Sequence, residues 1–370
     1  MFKSITLVNG ANMTEIESRV FDAVKRHPMA SQQQLADMLG MSRESIAGHI
    51  MRLTRQGLIL GKGYIVPEQD NIVVVGGSNL DIHGKSATTL LPHDSNPGSV
   101  SQSPGGVGRN IAENLARLGL NASLVSIAGL DASGDWMLEQ TRLSGVNTQH
   151  VIRHPDYPTS TYLAVNDHQG QLVAAIADMH IIDALDEPLL SSKSPLFHAS
   201  QYILIEANLS LSAIEWFSEQ DFQAFLIADA VSATKAPRLR SVLSKLDLLK
   251  VNQDEARAIL ESSEDDPKNL AQALQAKGVS AVLLSLGSQG LLYQDAEQSL
   301  LVPCYSTSPI SDTGAGDALL AGFMYAQSQS WPRQQQLEFS LACAGITLES
   351  QHANHPHFTP HNIQEWIKTR

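Results

Sequence analysis

Two textures of apolar spacing divide this chain of 370 residues. From Thr14 to Leu53 apolar residues recur at intervals of three and four, which predicts three short helices. Thr14-Glu15-Ile16-Glu17 reads as a capping box ahead of a face made by Ile16, Val20 and Val24. Ser31-Gln32-Gln33-Gln34 repeats that logic before Leu35, Met38 and Leu39, and Gly40 lets the chain turn sharply. Ser42 caps a third helix with Ile46, Ile50 and Leu53 inward, leaving Glu44, Ser45, Gly48, Arg52 and Arg55 outward. Residues 56–66, with glycines at 57, 61 and 63, read as a hairpin.

From Asn71 onward, short apolar runs alternate with amphipathic helical stretches, the pattern of an α/β fold with a doubly wound, mostly parallel sheet. Strands are expected at Ile72–Val75, Ser123–Ile127, Tyr202–Ile205, Ala224–Ala228, Leu246–Val251 and Ala281–Ser285. Two stretches, 82–103 and 149–178, break the rhythm; Thr159–Val165 and Leu172–Ile176 within them read as exposed strands of a small β lid. Pro67-Glu68-Gln69-Asp70 is the expected junction, so the chain divides into residues 1–67 and 71–370.

Composition sharpens this picture in three respects. Hydrophobic residues at 43% and charged residues at 17% describe an ordinary folded chain. No apolar run reaches the length that crosses a bilayer, which argues against a membrane partner, and two cysteines, Cys304 and Cys343, suit a reducing cytoplasm. The net charge of −13 is uneven: residues 1–66 carry eight Lys and Arg against five Asp and Glu, so +3 sits in front and −16 behind. Nucleic acid, if bound, meets the front segment.

That front segment resembles a winged helix-turn-helix DNA-binding domain, with residues 42–55 as recognition helix and residues 56–66 as wing. The resemblance implies DNA contacts from Arg43, Ser45, Arg52, Arg55 and Lys62. A three-helix packing or dimerisation module is the plain alternative.

Candidate chemistry concentrates in two places. Asp312-Thr313-Gly314-Ala315-Gly316-Asp317 leads into the helical run Ala318–Phe323, so bare amides of Gly314, Ala315 and Gly316 converge at a helix start that favours anions. Asp317 in the first turn is placed to take a proton from an attacking hydroxyl, or else simply caps the helix. Gly105-Gly106-Val107-Gly108-Arg109-Asn110 sets glycines before another helix. There the backbone approaches a ligand closely, and the Asn110 amide offers both donor and acceptor to a hydroxyl.

Together these two motifs resemble the signatures of the ribokinase-like (PfkB) carbohydrate kinases, in the right order over residues 71–350. The resemblance implies ATP-dependent phosphorylation of a ribosyl compound, with Asn79, Asp81, Gly105, Gly106 and Asn110 holding the sugar and Asp317 as base. It carries Asn252 and Glu255 of Asn252-Gln253-Asp254-Glu255 over to Mg2+, through water, and Ser285, Gly287 and Gly290 to the nucleotide. A primary 5′ hydroxyl, as in pseudouridine, is the expected acceptor, with Ser95, Asn96 and Thr161 of the lid reading the base and two chains forming a homodimer. Ser311 stands where the family usually has aspartate, with Asp312 displaced by one, which withholds the family's monovalent-cation (K+) site from the expectation. Another nucleoside or sugar as substrate, and a regulator whose kinase-like half only senses its ligand, remain the alternatives.

Overall fold

Helix starts are where the chain first commits, because their leading amides need partners that local side chains can supply. The computed structural model describes residues 6–8, 11–28, 30–59 and 71–370. At the front, a ribbon of β1 (Thr6–Val8) and β2 (Ala11–Met13) precedes α1 (Glu15–Arg26), α2 (Gln32–Leu39) and α3 (Arg43–Arg55). Thr14 with Glu17 and Ser31 with Gln34 form complete capping boxes, Ser42 accepts from the Ser45 amide, and Gly40 takes a left-handed conformation at φ 65°. These three short helices share one core through Val20, Phe21, Val24, Leu35, Ile46, Ile50 and Leu53.

Two expected core positions are exposed instead. Ile16 and Met38 face outward, because Phe21 and Ala23 on α1 and Ala36 on α2 turn toward the partner helices. The helical period defines a face, but only the neighbour decides which edge of that face it covers. Residues 60–66 of the expected wing, including Lys62, lie outside the described residues.

The second part begins with β3 (Asn71–Val75), β4 (Asn79–Ser86) and β5 (Gly98–Gly105), followed by α4 (Val107–Arg117). Next come β6 (Asn121–Val125), β7 (Ile127–Gly129), α5 (Ala132–Leu143), β8 (Ile152–His154), β9 (Thr161–Asn166) and β10 (Leu172–Asp178). Short helices α6 (Glu187–Ser191) and α7 (Ser194–Ala199) lead to β11 (Tyr202–Glu206), α8 (Leu211–Glu219), β12 (Phe225–Asp229) and β13 (Leu248–Asn252). The remainder is α9 (Gln253–Leu260), α10 (Pro267–Ala276), β14 (Ala281–Ser285), β15 (Leu291–Gln294), β16 (Ser299–Val302), α11 (Ala315–Ser328), α12 (Arg333–Leu348) and α13 (Pro360–Lys368).

Eight strands form the main sheet in the order β16-β15-β14-β13-β12-β11-β3-β6, parallel except for the β14–β15–β16 edge. Successive residues of its central strands bury opposite faces. Val73 and Val75 of β3 join the core beneath α8 to α10, while Ile72 and Val74 join the one beneath α4, α11 and α12. A burial pattern without polar interruptions is what a sheet covered on both faces requires.

Between β3 and β11 the strand order reverses direction. β3 leads to β6 on one side, and β11 leads to β12 and onward on the other, so the loops at their carboxyl ends part there and leave a crevice. A second sheet, β10-β9-β4-β5, rises beside that crevice; β10 is exposed along its whole length. β8 pairs with β7 and takes no part in this sheet.

Candidate active site

The crevice opens into a cleft of about 1820 Å³. That is roughly twice what one small ligand fills, so two ligands fit side by side. One end is lined by Asn79, Asp81, Gly106 and Asn110, the other by Asn252, Glu255, Ser285 and Gly287, and Gly314, Gly316 and Asp317 stand between them.

At the first end, Asn79 and Asp81 open β4, with Asn79 Nδ2 donating to Asp81 Oδ1 at 2.6 Å. Gly105 is the register partner of Asn79 on β5, and a side chain there would overlap the Asp81 carboxylate. Burial pushes the Asp81 carboxyl upward, against the pull of the Asn79 hydrogen bond. Gly106 adopts φ 99° at the head of α4, and any Cβ would overlap the Gly77 carbonyl, so glycine alone fits this turn.

Asn110 then sits on the first turns of α4 and reaches across the cleft. Its Nδ2 donates to Asp317 Oδ2 at 2.9 Å, joining residues 207 positions apart. Asp317 itself lies in the first turn of α11, buried, and its pKa is pushed up to about 7, by burial first and by the nearby Asp229 carboxylate second. Gly314 heads that helix in a left-handed conformation, φ 81°, tight against the Ala353 carbonyl. Its amide neighbours and this carboxyl share one helix start, where partial positive charge collects.

Five supporting residues were not legible as site residues: Arg109, Asn354, Lys250, Asp229 and Glu206. Arg109 is fully buried, bonded to Glu113 at 2.5 Å, to Asn110 Oδ1 at 2.7 Å and to Asn354. Asn354 donates in turn to the Asn110 carbonyl and to Asn114 Oδ1, both at 2.9 Å. The stretch 351–357, which reads as an ordinary loop, therefore braces both the Asn110 turn and Gly314. Lys250 and Asp229, register partners on β13 and β12, face each other at 3.0 Å beneath the cleft. Glu206, at the end of β11, accepts from the Gly77 and Asn208 amides at 2.5 and 2.6 Å; burial pushes its pKa up to about 7.

At the far end, Asn252 and Glu255 form a capping box at the start of α9, with Asn252 Nδ2 donating to Glu255 Oε1 at 2.9 Å. Burial raises the Glu255 pKa, opposed by Lys250. A carboxylate with an amide oxygen beside it suits Mg2+, a hard cation that keeps several of its waters and takes its other ligands from phosphates. Gly287 lines the cleft after β14. Gly290 does not: it closes the turn into β15 at φ 123°, against Val302.

Three lid positions depart from expectation. Asn96 spends its side chain on its own loop, donating to the Leu91 and Asp94 carbonyls and accepting from the Leu91 amide, and Ser95 beside it is exposed. Thr161 turns its hydroxyl to the Thr159 carbonyl, and strand alternation sends Ser160 and Tyr162 into the cleft in its place. Tyr162 and His83 stand edge to face there, ring centroids 6.4 Å apart.

On the front domain, Arg43 and Arg55 are exposed on α3. Arg52 is partly committed elsewhere, its Nε donating to the buried Glu17 at 2.8 Å and its guanidinium contacting His49. Ser45 lies half-buried in the first turn.

Comparison with known proteins agrees with this geometry. The profile of the pfkB family carbohydrate kinases matches residues 69–360, and that of a Crp-like helix-turn-helix domain matches residues 18–69. An uncharacterized sugar kinase, YeiI, of Escherichia coli is 35% identical over 95% of this chain and 98% of its own length. The pseudouridine kinase of the same organism is 34% identical over 80% of this chain and 96% of its own. Among solved structures, a putative sugar kinase from Clostridium perfringens superposes with a TM-score of 0.74 at 28% identity, covering 82% of this chain and 97% of that one. The chain belongs to the pfkB family of carbohydrate kinases, ATP-dependent phosphotransferases, and carries a helix-turn-helix domain in front.

Proposed function

We propose that this chain transfers the γ-phosphoryl group of ATP to the primary 5′ hydroxyl of a ribosyl compound, pseudouridine above others. The contact between Asn110 and Asp317 carries the reading. It ties a turn suited to sugar hydroxyls to a carboxyl at the anion-binding start of α11. A hydroxyl taking the place of the Asn110 amide beside Asp317 would lie within reach of the base and of the amides at once.

Asp317 in its ionised form removes the hydroxyl proton as the oxygen attacks. The amides of Gly314, Ala315 and Gly316 hold the charge on the group in flight, and most of the acceleration comes from placement and charge rather than from covalent work. Asn252 and Glu255 would hold Mg2+ through its waters, where the ion neutralises phosphate charge. The pairing of Tyr162 with His83 on the lid side supports a flat base on the acceptor, and the pseudouridine kinase likeness points the same way. Closure of the lid sheet would keep water, a competing acceptor, out.

Replacing Asp317 with Asn is expected to lower kcat by about 10²- to 10⁴-fold while nucleotide and acceptor still bind. Assay of ATP consumption with pseudouridine, uridine, adenosine, ribose and fructose 6-phosphate identifies the acceptor. If the Asn variant turns over at the parental rate, the site has been misread.

A second activity rests on a separate observation, the helix-turn-helix match with Arg43 and Arg55 exposed on α3. DNA binding then accompanies catalysis, and substrate in the cleft changes DNA affinity through coupling of the two parts. A sensor without catalysis has no need of the intact Asp317 and the Asn252–Glu255 pair.

A further inference from the structure

Arg109 has no part in the reading above, yet it stands directly behind the contact between Asn110 and Asp317. It sits near the start of α4 with only 1% of its surface exposed. A guanidinium carries five N–H donors and no acceptor, so each partner it takes must offer an oxygen or nitrogen lone pair. Nη1 donates to Glu113 Oε2, and Nη2 donates both to Asn110 Oδ1 at 2.7 Å and to Asn354 Oδ1. The equally buried Nε has no hydrogen-bond partner among the described residues. A buried ion pair is a weak source of stability even when every donor is satisfied, so stability is a poor reason for an arginine here.

What the arrangement does set is the Asn110 amide. That group has an oxygen end and an N–H end, and half a turn exchanges them. With Oδ1 held by Arg109, Nδ2 is left facing Asp317 Oδ2 at 2.9 Å. Asn354 is fixed by the same donor, and its Nδ2 pins the Asn110 carbonyl and Asn114 Oδ1 in turn. Asp317 by itself cannot choose the orientation. Ionised, it only accepts and draws the N–H end; protonated, it has a hydrogen to give and draws the oxygen end. A free amide would turn to suit either state and so stabilise the protonated, idle base. Asp229 on β12, Glu206 on β11 and Lys250 on β13 act on the charge of Asp317, and Asp312 and His352 line the same cleft.

We propose that Arg109 is a positioning residue that fixes the Asn110 amide with its N–H toward Asp317, presenting an arriving hydroxyl with a donor on one side and a carboxylate on the other. The inference rests on the phosphotransferase reading. The acceptor oxygen takes the Asn110 N–H on a lone pair, which leaves its own hydrogen pointing to Asp317. On attack that proton passes to Asp317 and the oxygen bonds to the γ-phosphorus. The bond from γ-phosphorus to the bridging oxygen breaks with its electron pair leaving on ADP. Arg109 keeps its protons throughout.

Acceptor kcat/KM reports the free chain, in which Asn110 touches Asp317, so its pH profile on the full-length protein reads the amide. Arg109→Met is expected to carry the acid limb up by about one pH unit, which lowers kcat/KM roughly tenfold more at pH 6 than at pH 9. Arg109→Lys, which keeps a donor, should bring the limb part of the way back. In the Asn110→Ala background no amide is left to orient, so Arg109→Met should move the limb no further. Arg109→Met leaves Glu113 with Arg117 at 2.8 Å, and Arg109→Met with Glu113→Gln, the folded control, must show the same shift. Without turnover, denaturant titrations of Arg109→Met should show stability declining with pH to a higher pH than in the parent. Equal loss of kcat/KM at every pH, or shifts that add in the Asn110→Ala background, would make Arg109 a packing residue and overturn the proposal. Neither result bears on Asp317: turnover surviving in Asp317→Asn sinks the phosphotransferase site itself, whatever Arg109 does.

Discussion

At the scale of single residues, Asp317 sits in an environment far from that of a free side chain. Its carboxyl, pushed up to about 7 by burial, must lose its proton before it can accept one. Acceptor kcat/KM is therefore expected to fall about tenfold per pH unit below 7 and to level off above it. The Asn110 hydrogen bond favours the ionised form, so Asn110→Ala should carry that limb to higher pH as well as weakening the acceptor. A limb that stays put or moves down would separate Asn110 from the base. Folding feels the same proton. Between the ordinary carboxyl value of 3.8 and about 7 the folded chain holds a proton that the unfolded chain has released, so stability declines as pH rises through this window. Asp317→Asn should flatten that slope in denaturant titrations.

At the scale of elements, the caps at Thr14, Ser31 and Ser42 were legible because each is settled within four residues of chain. The glycine-led starts of α4 and α11 were legible for a related reason, since a positive φ at Gly106 and Gly314 excludes other residues. Less visible was the seam between α11 and α12. Gly322 brings these helices so close that a Cβ would lie 2.6 Å from Cys343 Sγ, and nothing local marks that glycine as a packing site. Gly322→Leu is expected to cost about 1–3 kcal/mol by overpacking, read as a lower urea midpoint, and to disturb α11 from behind. An unchanged midpoint would mean that the seam yields freely. The lid strands show the converse limit. Alternation in the Thr161 region signals a strand but not its facing, and a shift of one residue exchanges Thr161 for Tyr162 in the cleft.

At the scale of the whole molecule, the two parts divide the electrostatic work, with the modest positive balance in front and the negative one behind. Exposed Arg43 and Arg55 are expected to meet phosphates, whereas Arg52 is partly held by Glu17. Replacing Arg43 and Arg55 together with Ala should lower affinity for any duplex and reduce the salt slope by about two, with kcat unchanged. Anisotropy titrations across a KCl series measure this, and an unaltered slope would remove both residues from the interface.

Sequence alone determined what short-range rules decide: helix caps, strand runs buried on both faces, and glycines where the backbone admits nothing else. Only the tertiary structure decided which distant groups meet. Asn354 bracing Asn110 from 244 positions away, and Lys250 opposite Asp229 beneath the amide loop, arise from register and strand order. The physical reason is range. Backbone geometry and capping act over one turn of chain, whereas burial and charge pairing depend on which surfaces the folded sheet and its helices bring together.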